Sequence, residues 1–290
     1  MLLKPLGRKA DINLRTDIAL NEGVCRATAG SLNQINMQAK ICVIIPCHNE
    51  EHRFPAEKFV NFYNLHPNVY FCLVDDGSSD GTAELLNRIV AAGEERTIFV
   101  NLEKNHGKAE AVRRGFWELL EWRNFDYIAY LDADFSTPPE EILHLFKELK
   151  KDRACKMALG SRVLRLGANI KRSAVRHYFG RIFATLASLM LDLPVYDTQC
   201  GAKLMDTELA MEVFKEPFIS PWLFDIEIFA RIIETHGYGY VERSLMEVPL
   251  NQWVDYGGSK IKLSYLFKLP FELMKIFVTY KKRRKNFCNV

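Results

Sequence analysis

Short, almost continuously apolar runs alternate along the chain with longer segments in which apolar residues recur every three or four positions. The apolar runs are ICVII at 41–45, VYFCLV at 69–74, TIFVNL at 97–102, DYIAYL at 126–131 and CKMALG at 155–160. Segments between them, such as TAELLNRIVAAG and GKAEAVRRGFWELLEW, have the period of an amphipathic helix. Apolar strands that alternate with helices predict an α/β protein with a mostly parallel central sheet and helices on both faces.

Polar and acidic residues follow three of the predicted strands. Ligands bind beyond the carboxyl ends of the strands in such sheets, so these residues mark the candidate site. Capping of the following helices is the alternative explanation for Ser79 and Asp80. The residues are Pro46, Asn49 and Glu50 after the first strand, Asp75 and Asp76 after the second, and Asp132, Ala133 and Asp134 after the fourth.

The segment FDYIAYLDADFSTPPEEI, residues 125–142, places two carboxylates, one alanine apart, at a strand end. Two such acids repel each other and gain nothing from burial. A capping box formed by Thr137, Pro138 and Glu140 predicts the next helix start without them. Asp132 and Asp134 are therefore spare, and they are suited to share a hard divalent cation with substrate phosphates.

The glycine-rich turn after the second strand permits close approach of the backbone to a nucleotide. The sequence contains neither a P-loop nor a GxGxxG pattern, which argues against ATP hydrolysis and dinucleotide chemistry. A metal that bridges a diphosphate neutralises the charge that accumulates as the diphosphate leaves. The two acids therefore suit a metal that bridges a diphosphate.

Composition narrows the class of protein. The 290 residues are 48% apolar and 26% charged, which is ordinary for a soluble globular protein, and a net charge of +3 does not indicate nucleic-acid binding. The seven cysteines are scattered, which favours reduced thiols.

We find no signal peptide or spanning apolar run and expect a cytoplasmic protein. Residues 1–38 lack periodicity and are interpreted as an N-terminal extension.

Basic residues are concentrated between positions 162 and 181. A solvated charged face is one explanation of this concentration. The alternative to the solvated face is an acceptor-phosphate site formed by Arg162, Arg172, Arg176 and Lys203.

Asp225 and Glu227 lie at a later predicted helix start. One of them orients an acceptor or acts as a base, or both are simply acids that the helix dipole favours near a helix N-terminus.

The segment KIKLSYLFKLPFELMKIFVTYKKRRK lies near the C-terminus. It is too charged to span a bilayer and too apolar for a solvated tail. We interpret residues 259–290 as an amphipathic helix with a basic tail that lies on a membrane surface. A helix packed on the catalytic domain or on a second subunit is the alternative.

Seven ordered motifs resemble those of the family 2 glycosyltransferases, which have the GT-A fold. The motifs DTQCGAKLM and FDIE are most similar to those of dolichyl-phosphate β-glucosyltransferases and related polyprenyl-phosphate hexosyltransferases. The resemblance implies a GT-A nucleotide-diphospho-sugar transferase domain over residues 39–258. The seven motifs are VIIPCHNE, LVDDGSSDGT, NHGKAEAVRRG, YLDADFSTPPEEI, GSR, DTQCGAKLM and WLFDIEIFAR.

The resemblance also implies roles for single residues. Asp132 and Asp134 would hold Mg²⁺ or Mn²⁺, with Asp134 the stronger ligand. Catalytic roles are implied for Asp134 and for Asp225 or Glu227. The residues implied in donor binding are Pro46, Glu50, Asp76, Lys108, Asp132, Ala133 and Asp134.

The expected activity is metal-dependent, inverting transfer of a hexose to a polyprenyl or dolichyl phosphate at the cytoplasmic face of a membrane, with UDP-glucose as the expected donor. A phosphate monoester is already anionic at neutral pH, so its attack requires cations rather than a general base. A family 2 enzyme that glycosylates a sugar hydroxyl is the alternative. A nucleotidyltransferase and a non-enzymatic nucleotide-binding module are further alternatives.

Overall fold

The computed structural model describes residues 39–93, 95–171, 174–256 and 268–287, without the side chains of residues 174–182 and 282–287. The predicted N-terminal extension and residues 257–267 lie outside this description. The strands are β1 Ile41–Cys47, β2 Val69–Asp76, β3 Thr97–Leu102, β4 Tyr127–Tyr130, β5 Met157–Ser161, β6 Asn169–Lys171, β7 Lys203–Asp206, β8 Leu245–Pro249 and β9 Gln252–Val254. The helices are α1 Ala56–Leu65, α2 Thr82–Ala92, α3 Lys108–Trp122, α4 Glu140–Leu149, α5 Ala174–Leu191, α6 Thr207–Val213, α7 Phe224–His236, α8 Tyr238–Ser244 and α9 Leu269–Phe287.

The central sheet has seven strands in the order β3-β2-β1-β4-β7-β5-β8. All neighbouring pairs are parallel except those of β7, which is antiparallel to both β4 and β5. The predicted mostly parallel sheet is therefore confirmed. The register pairs Cys47 with Asp75, so β1 and β2 end at the same edge of the sheet. A second, two-stranded sheet pairs β6 with β9.

Both faces of the sheet are buried, as the continuously apolar strands predict. Successive residues of β1 contribute to opposite faces, with Ile44 in one hydrophobic core and Ile45 in the other. Helix α3 packs closely on the face of the sheet that contains Ile44 and Val74. A Cβ atom on Gly115 would lie only 2.7 Å from Val74 Cγ2 and 2.9 Å from Ile44 Cγ2. This close packing brings Lys108, the first residue of α3, to the carboxyl ends of the strands.

The end of one strand and the start of one helix differ from what the sequence predicts. Strand β2 continues through Asp76, so Asp75 and Asp76 belong to the strand rather than to the following turn. Helix α4 has Pro139 as its N-cap without a side-chain cap, so the predicted capping box is wrong. Pro138 and Pro139 lack the N–H groups that a cap would satisfy, and their fixed φ already suits a first helical turn.

Helix α9 packs against α7 and α5. Its residues Leu273, Ile276 and Tyr280 are buried in the domain core, which confirms the packed-helix alternative for this face. Phe271 and Val278 on the same helix are exposed. None of the described helices has both the length and the apolar character needed to cross a bilayer.

Candidate active site

The predicted donor-binding residues lie at the carboxyl ends of β1, β2 and β4. The first turns of α3 and α7 and the segment 197–201 border the same edge. Pro46 is partly exposed near the end of β1, and Ala133, which separates the two acids in the sequence, is buried. The sheet topology thus brings together residues that are up to 179 positions apart, from Pro46 to Asp225.

Asp132 is paired with Lys108. The Lys108 Nζ donates to Asp132 Oδ1 at 2.6 Å, and it lies 5.7 Å from the centre of the Phe224 ring. Burial alone would lower the pKa of the Lys108 ammonium, but the charges of Asp132 and Asp225 outweigh it and raise that pKa above its ordinary value. Lys108 therefore stays charged, as the predicted role beside an anionic donor requires.

The same pairing affects the carboxylate. Burial alone would raise the pKa of Asp132, but the Lys108 charge and hydrogen bond, with smaller contributions from Arg162 and Lys203, hold that pKa below its ordinary value. Asp132 is thus an anion at neutral pH, with its Oδ1 already bound to a protein cation.

Gly201 in the DTQCGAKLM motif lies directly against Asp132. A Cβ atom at residue 201 would lie 1.9 Å from Asp132 Oδ2, a distance that no real contact allows. The backbone of this motif therefore forms one wall of the site, and only glycine leaves space for the carboxylate.

Asp134 contacts a cation that the sequence analysis did not identify. Its Oδ2 accepts a hydrogen bond from Arg53 at 3.1 Å, and its Oδ1 accepts one from the Ser136 backbone N–H at 2.9 Å. Arg53 Nε also lies 3.8 Å from Glu50 Oε2. The residue after Asp134, Phe135, has a φ of 49°, so the chain turns sharply immediately behind the acids. Arg53 therefore links the two acids that follow β1 and β4.

Asp225, at the start of α7, is buried beside Lys203 and Tyr130. Its Oδ1 accepts hydrogen bonds from the Tyr130 hydroxyl at 2.6 Å and from the Lys203 ammonium. The Lys108 Nζ lies 6.0 Å from the centre of the Tyr130 ring, so Asp225 and Lys108 are both close to this tyrosine. Asp225 therefore borders the site, as predicted.

Lys203 is completely buried, and its ammonium makes three hydrogen bonds within the protein. Besides Asp225, it donates to the carbonyl oxygens of Cys200 at 2.7 Å and Thr198 at 3.1 Å. An ammonium has three N–H donors, so none remains for a phosphate. The prediction that Lys203 contacts an acceptor phosphate is wrong; Lys203 instead holds the 198–200 segment against α7.

Glu227 is also committed to a structural network. Its Oε1 accepts hydrogen bonds from Arg231 at 2.9 Å and from the Tyr280 hydroxyl at 2.8 Å, and its Oε2 accepts one from the Ile219 N–H at 2.8 Å. Because the side chain is fully buried among these donors, its predicted role as a catalytic base is wrong. Glu227 ties α9 to the catalytic domain.

Arg162 forms a two-bonded ion pair with Asp197. Its Nε and NH2 groups donate to the two carboxylate oxygens at 2.6 and 2.7 Å, and Glu247 in turn accepts from the Asp197 N–H at 2.7 Å. This pair uses two of the five N–H donors of the guanidinium, so the predicted contact of Arg162 with an acceptor phosphate stays a prediction. Arg172 and the side chain of Arg176 lie outside the described residues, so their role stays a prediction.

Asp76 has partners for both of its carboxylate oxygens. They accept hydrogen bonds from the backbone N–H groups of His106 and Gly107, each at 2.8 Å. Gly107 has a φ of 91°, so this carboxylate stabilises an unusual turn immediately before Lys108. The predicted contact of Asp76 with a base or ribose stays a prediction, and the structure adds this second role.

Three residues that contribute to the site are not predicted from the sequence. Arg53 lies three residues after Glu50, and its position within the marked strand-end turn is a signal that could have identified it. Tyr130 is part of an apolar strand, where nothing distinguishes its hydroxyl. Asp197 begins the DTQCGAKLM motif, but only the structure pairs it with Arg162.

The charges at the site are matched in pairs. Four carboxylates are each bonded to one cation: Asp132 to Lys108, Asp134 to Arg53, Asp197 to Arg162, and Asp225 to Lys203. Within the described part of the chain, no three His, Cys, Asp or Glu side chains are grouped as a complete metal site.

Comparison with solved structures supports the GT-A fold. The chain superimposes on glucosyl-3-phosphoglycerate synthase from Mycobacterium tuberculosis in complex with Mn²⁺, UDP-glucose and phosphoglyceric acid, with a TM-score of 0.59 and 16% identity. The match covers 96% of this chain and 85% of that chain. At this identity the likeness shows the fold, and the predicted GT-A fold class is confirmed.

Sequence comparison identifies more specific relatives. The chain is 30% identical over 242 residues to a dolichyl-phosphate beta-glucosyltransferase from Dictyostelium discoideum, covering 76% of this chain and 68% of that protein. It is also 30% identical over 213 residues to one from Trichomonas vaginalis, covering 72% of this chain and 60% of that protein's length. The family model for glycosyl transferase family 2 matches residues 42–214. The chain therefore belongs to glycosyl transferase family 2.

Proposed function

We propose that this protein transfers glucose from UDP-glucose to a polyprenyl phosphate, with inversion at the sugar carbon. The named relatives from Dictyostelium and Trichomonas are dolichyl-phosphate beta-glucosyltransferases, which supports both the sugar and the acceptor class. The chain is 30% identical to both relatives and covers 60% and 68% of their lengths, and the assay below tests the substrates directly.

The observation that carries the choice of acceptor is the state of the two acids on α7. Glu227 is buried among three protein donors, and Asp225 Oδ1 already accepts from Lys203 and Tyr130. A sugar hydroxyl must lose a proton during attack and needs a positioned base. A phosphate monoester is already an anion, so it needs no such base. The arrangement therefore favours a phosphate acceptor.

In the proposed reaction, an oxygen of the acceptor phosphate forms a bond to C1 of glucose while the bond between C1 and the UDP oxygen breaks. UDP leaves with the electron pair of that bond, and attack from the opposite face produces the β-linked product. No proton has to be removed from the nucleophile. The charged Lys108 beside Asp132 lies where it can attract the anionic donor.

Metal dependence is part of the proposal. Asp132 and Asp134 offer hard carboxylate oxygens at the end of β4, and one or two protein carboxylates with substrate phosphates is the usual way to hold Mg²⁺. A bound divalent cation would neutralise the charge that develops on the departing UDP. The two acids would hold it, and Gly201 leaves the space that Asp132 needs.

We also propose that α9 and α5 place the protein on the cytoplasmic face of a membrane. Phe271, Met274 and Val278 on α9 are 77%, 53% and 54% exposed, and their spacing puts them on one side of the helix. On the neighbouring α5, Leu186 and Leu189 are also exposed. The sequence KKRRK follows at positions 281–285. Apolar side chains beside a basic segment suit an anionic lipid surface.

The test is transfer of radiolabelled glucose from UDP-glucose to a short polyprenyl phosphate, with polyprenol and a sugar acceptor in parallel assays. We expect product only with the phosphate, and only when Mg²⁺ or Mn²⁺ is present. Asp134→Ala should abolish this product while the far-UV circular dichroism spectrum is unchanged.

Transfer to the sugar hydroxyl but not to the phosphate would contradict the proposal and favour the alternative family 2 activity. Release of pyrophosphate would instead indicate a nucleotidyltransferase. UDP binding without any turnover would indicate a nucleotide-binding module.

A further inference from the structure

Arg53 lies between Glu50 and Asp134, and Asp134 is one of the two acids proposed to hold the metal. It lies in the turn after β1, where its backbone N–H donates to the Glu50 carbonyl oxygen at 2.9 Å. Its guanidinium reaches from there to Asp134 Oδ2 at 3.1 Å and approaches Glu50 Oε2 at 3.8 Å. The backbone of this turn is thus fixed, while the long side chain extends across the site.

A divalent cation at Asp134 must compete with this guanidinium. Asp134 Oδ1 is bonded to the Ser136 N–H, and Oδ2 is bonded to Arg53. A metal that approaches Oδ2 brings two positive charges next to the charge of Arg53, and like charges at such distances repel strongly at a partly buried site. The two cations therefore weaken each other's binding at Asp134, and a further anion that attracts the guanidinium relieves this repulsion.

Among the four cations paired at the site, Arg53 is the one best able to leave its acid. The side chain of Arg53 is 32% exposed, whereas those of Lys108, Arg162 and Lys203 are 19%, 14% and 0% exposed. The greater exposure of its side chain favours movement of Arg53 away from Asp134.

We propose that Arg53 is an internal counter-cation that holds Asp134 when no donor is bound, and that moves to the donor diphosphate when a metal takes Asp134. This inference rests on the proposed function, because it requires a nucleoside diphosphate donor. The arriving diphosphate supplies the anion that the displaced guanidinium needs, and a guanidinium fork is well shaped for phosphate oxygens. Metal and donor therefore bind cooperatively, and metal alone binds weakly.

The direct test measures Mn²⁺ binding without any nucleotide, from the electron paramagnetic resonance signal of free Mn²⁺. We expect Arg53→Gln to bind Mn²⁺ alone roughly tenfold more tightly than the wild type, because the competing charge is removed. Arg53→Lys keeps the charge and should remain near the wild-type value. Arg114→Gln is the matched control, since Arg114 pairs with Glu110 on the exposed side of α3 and should change nothing.

The second measurement is UDP affinity at saturating Mn²⁺, by calorimetry. Arg53→Gln should bind UDP roughly tenfold more weakly, since it lacks the guanidinium that contacts the diphosphate. Adding Asp134→Asn should remove the gain in Mn²⁺ affinity that Arg53→Gln produces, because the two residues act on the same oxygen. A merely structural role of Arg53 would not tighten metal binding while weakening nucleotide binding.

Unchanged or weaker Mn²⁺ binding by folded Arg53→Gln would overturn the competition. Tighter Mn²⁺ binding with unchanged UDP affinity would overturn the movement to the diphosphate. These binding measurements use no acceptor and no turnover. If the wild type bound UDP and Mn²⁺ as expected but transferred no glucose, the proposed function would fail and the role of Arg53 would stand.

Discussion

The carboxylate of Asp132 leaves no room for a side chain at residue 201. A Cβ atom on Gly201 would lie 1.9 Å from Asp132 Oδ2 and 2.4 Å from the carboxyl carbon. The DTQCGAKLM motif therefore contributes to the site because its glycine has no side chain, which leaves space for the Asp132 carboxylate.

Gly201→Ala should displace Asp132 from Lys108 and lower kcat by about 10²-fold, since misplacing a group at an active site by about 1 Å has effects of this size. Overpacking should cost about 1–3 kcal/mol in the free energy of unfolding. Steady-state kinetics and urea unfolding measure both effects. Gly239→Ala is the control, because its Cβ would contact only the end of the Arg243 side chain, at 3.4 Å. Normal kcat in Gly201→Ala would show that Asp132 is not needed in its present position.

Lys108→Met should reduce the free energy of unfolding by about 1–2 kcal/mol at pH 7, a value kept small because Asp132 is partly exposed to solvent. The pKa of Asp132 is lowered in the folded protein, so its stabilising contribution is present above the ordinary carboxyl pKa and is lost as the pH falls through the lowered value. The pKa of Lys108 is raised, so its contribution is complete below the ordinary ammonium pKa and is lost as the pH rises through the raised value.

The difference in unfolding free energy between the wild type and Lys108→Met is therefore expected to be largest between about pH 5 and pH 9 and to shrink in stronger acid. Urea unfolding at a series of pH values measures it. Lys151→Met, which breaks an exposed pair with Glu148, should change stability by less than about 1 kcal/mol. A difference that is independent of pH would contradict the ion-pair explanation.

Glu227→Gln should destabilise the protein without removing its chemistry. Breaking the buried contact with Arg231 should cost about 3 kcal/mol, because the arginine remains buried with a weaker partner. Below the melting temperature, kcat should stay within about threefold of the wild-type value, since the phosphate acceptor needs no base. Tyr280→Phe, which removes one hydrogen bond to the same carboxylate, should cost about 1 kcal/mol. A folded Glu227→Gln variant without turnover would restore Glu227 as a base candidate.

Replacing Phe271 and Val278 by serine should weaken binding to anionic lipid vesicles by more than about tenfold, because each apolar side chain contributes about 1.5–3 kcal/mol when it is fully buried. Vesicle sedimentation measures the bound fraction, and calorimetry with UDP tests the nucleotide site, which should be unaffected. Leu65→Ser is the control, since Leu65 is 60% exposed on α1 but is not part of the proposed membrane surface. Equal loss of vesicle binding in the control would argue against a specific role of α9.

The sequence predicts the strand-and-helix framework and the edge of the sheet where acids gather, because both depend on local hydrophobic periods and on the geometry of parallel strands. It does not predict β7, whose four residues are too few to show a period and whose antiparallel position depends on the neighbouring β4 and β5. The capping box was mispredicted because two adjacent prolines define the start of α4 without a side-chain cap.

At the site, the sequence identifies charged residues but not their partners. Lys203 and Arg162 are basic residues in a basic region, and only the fold shows that Asp225 and Asp197 already neutralise them. Glu227 lies two positions from Asp225, yet the helical turn directs it toward α9 rather than toward the site. Partners in these pairs are separated by up to 53 positions, as for Glu227 and Tyr280, and a local pattern contains no record of such contacts.

The buried face of α9 has a consequence for how this protein can change in evolution. A stop codon before residue 269 would remove Leu273, Ile276 and Tyr280 from the hydrophobic core and would leave Arg231 and Glu227 without their tyrosine partner. The helix that carries the proposed lipid-facing residues is thus also a folding element of the catalytic domain. Descendants of this gene should lose membrane affinity by point substitutions on the exposed side of α9 more readily than by truncation.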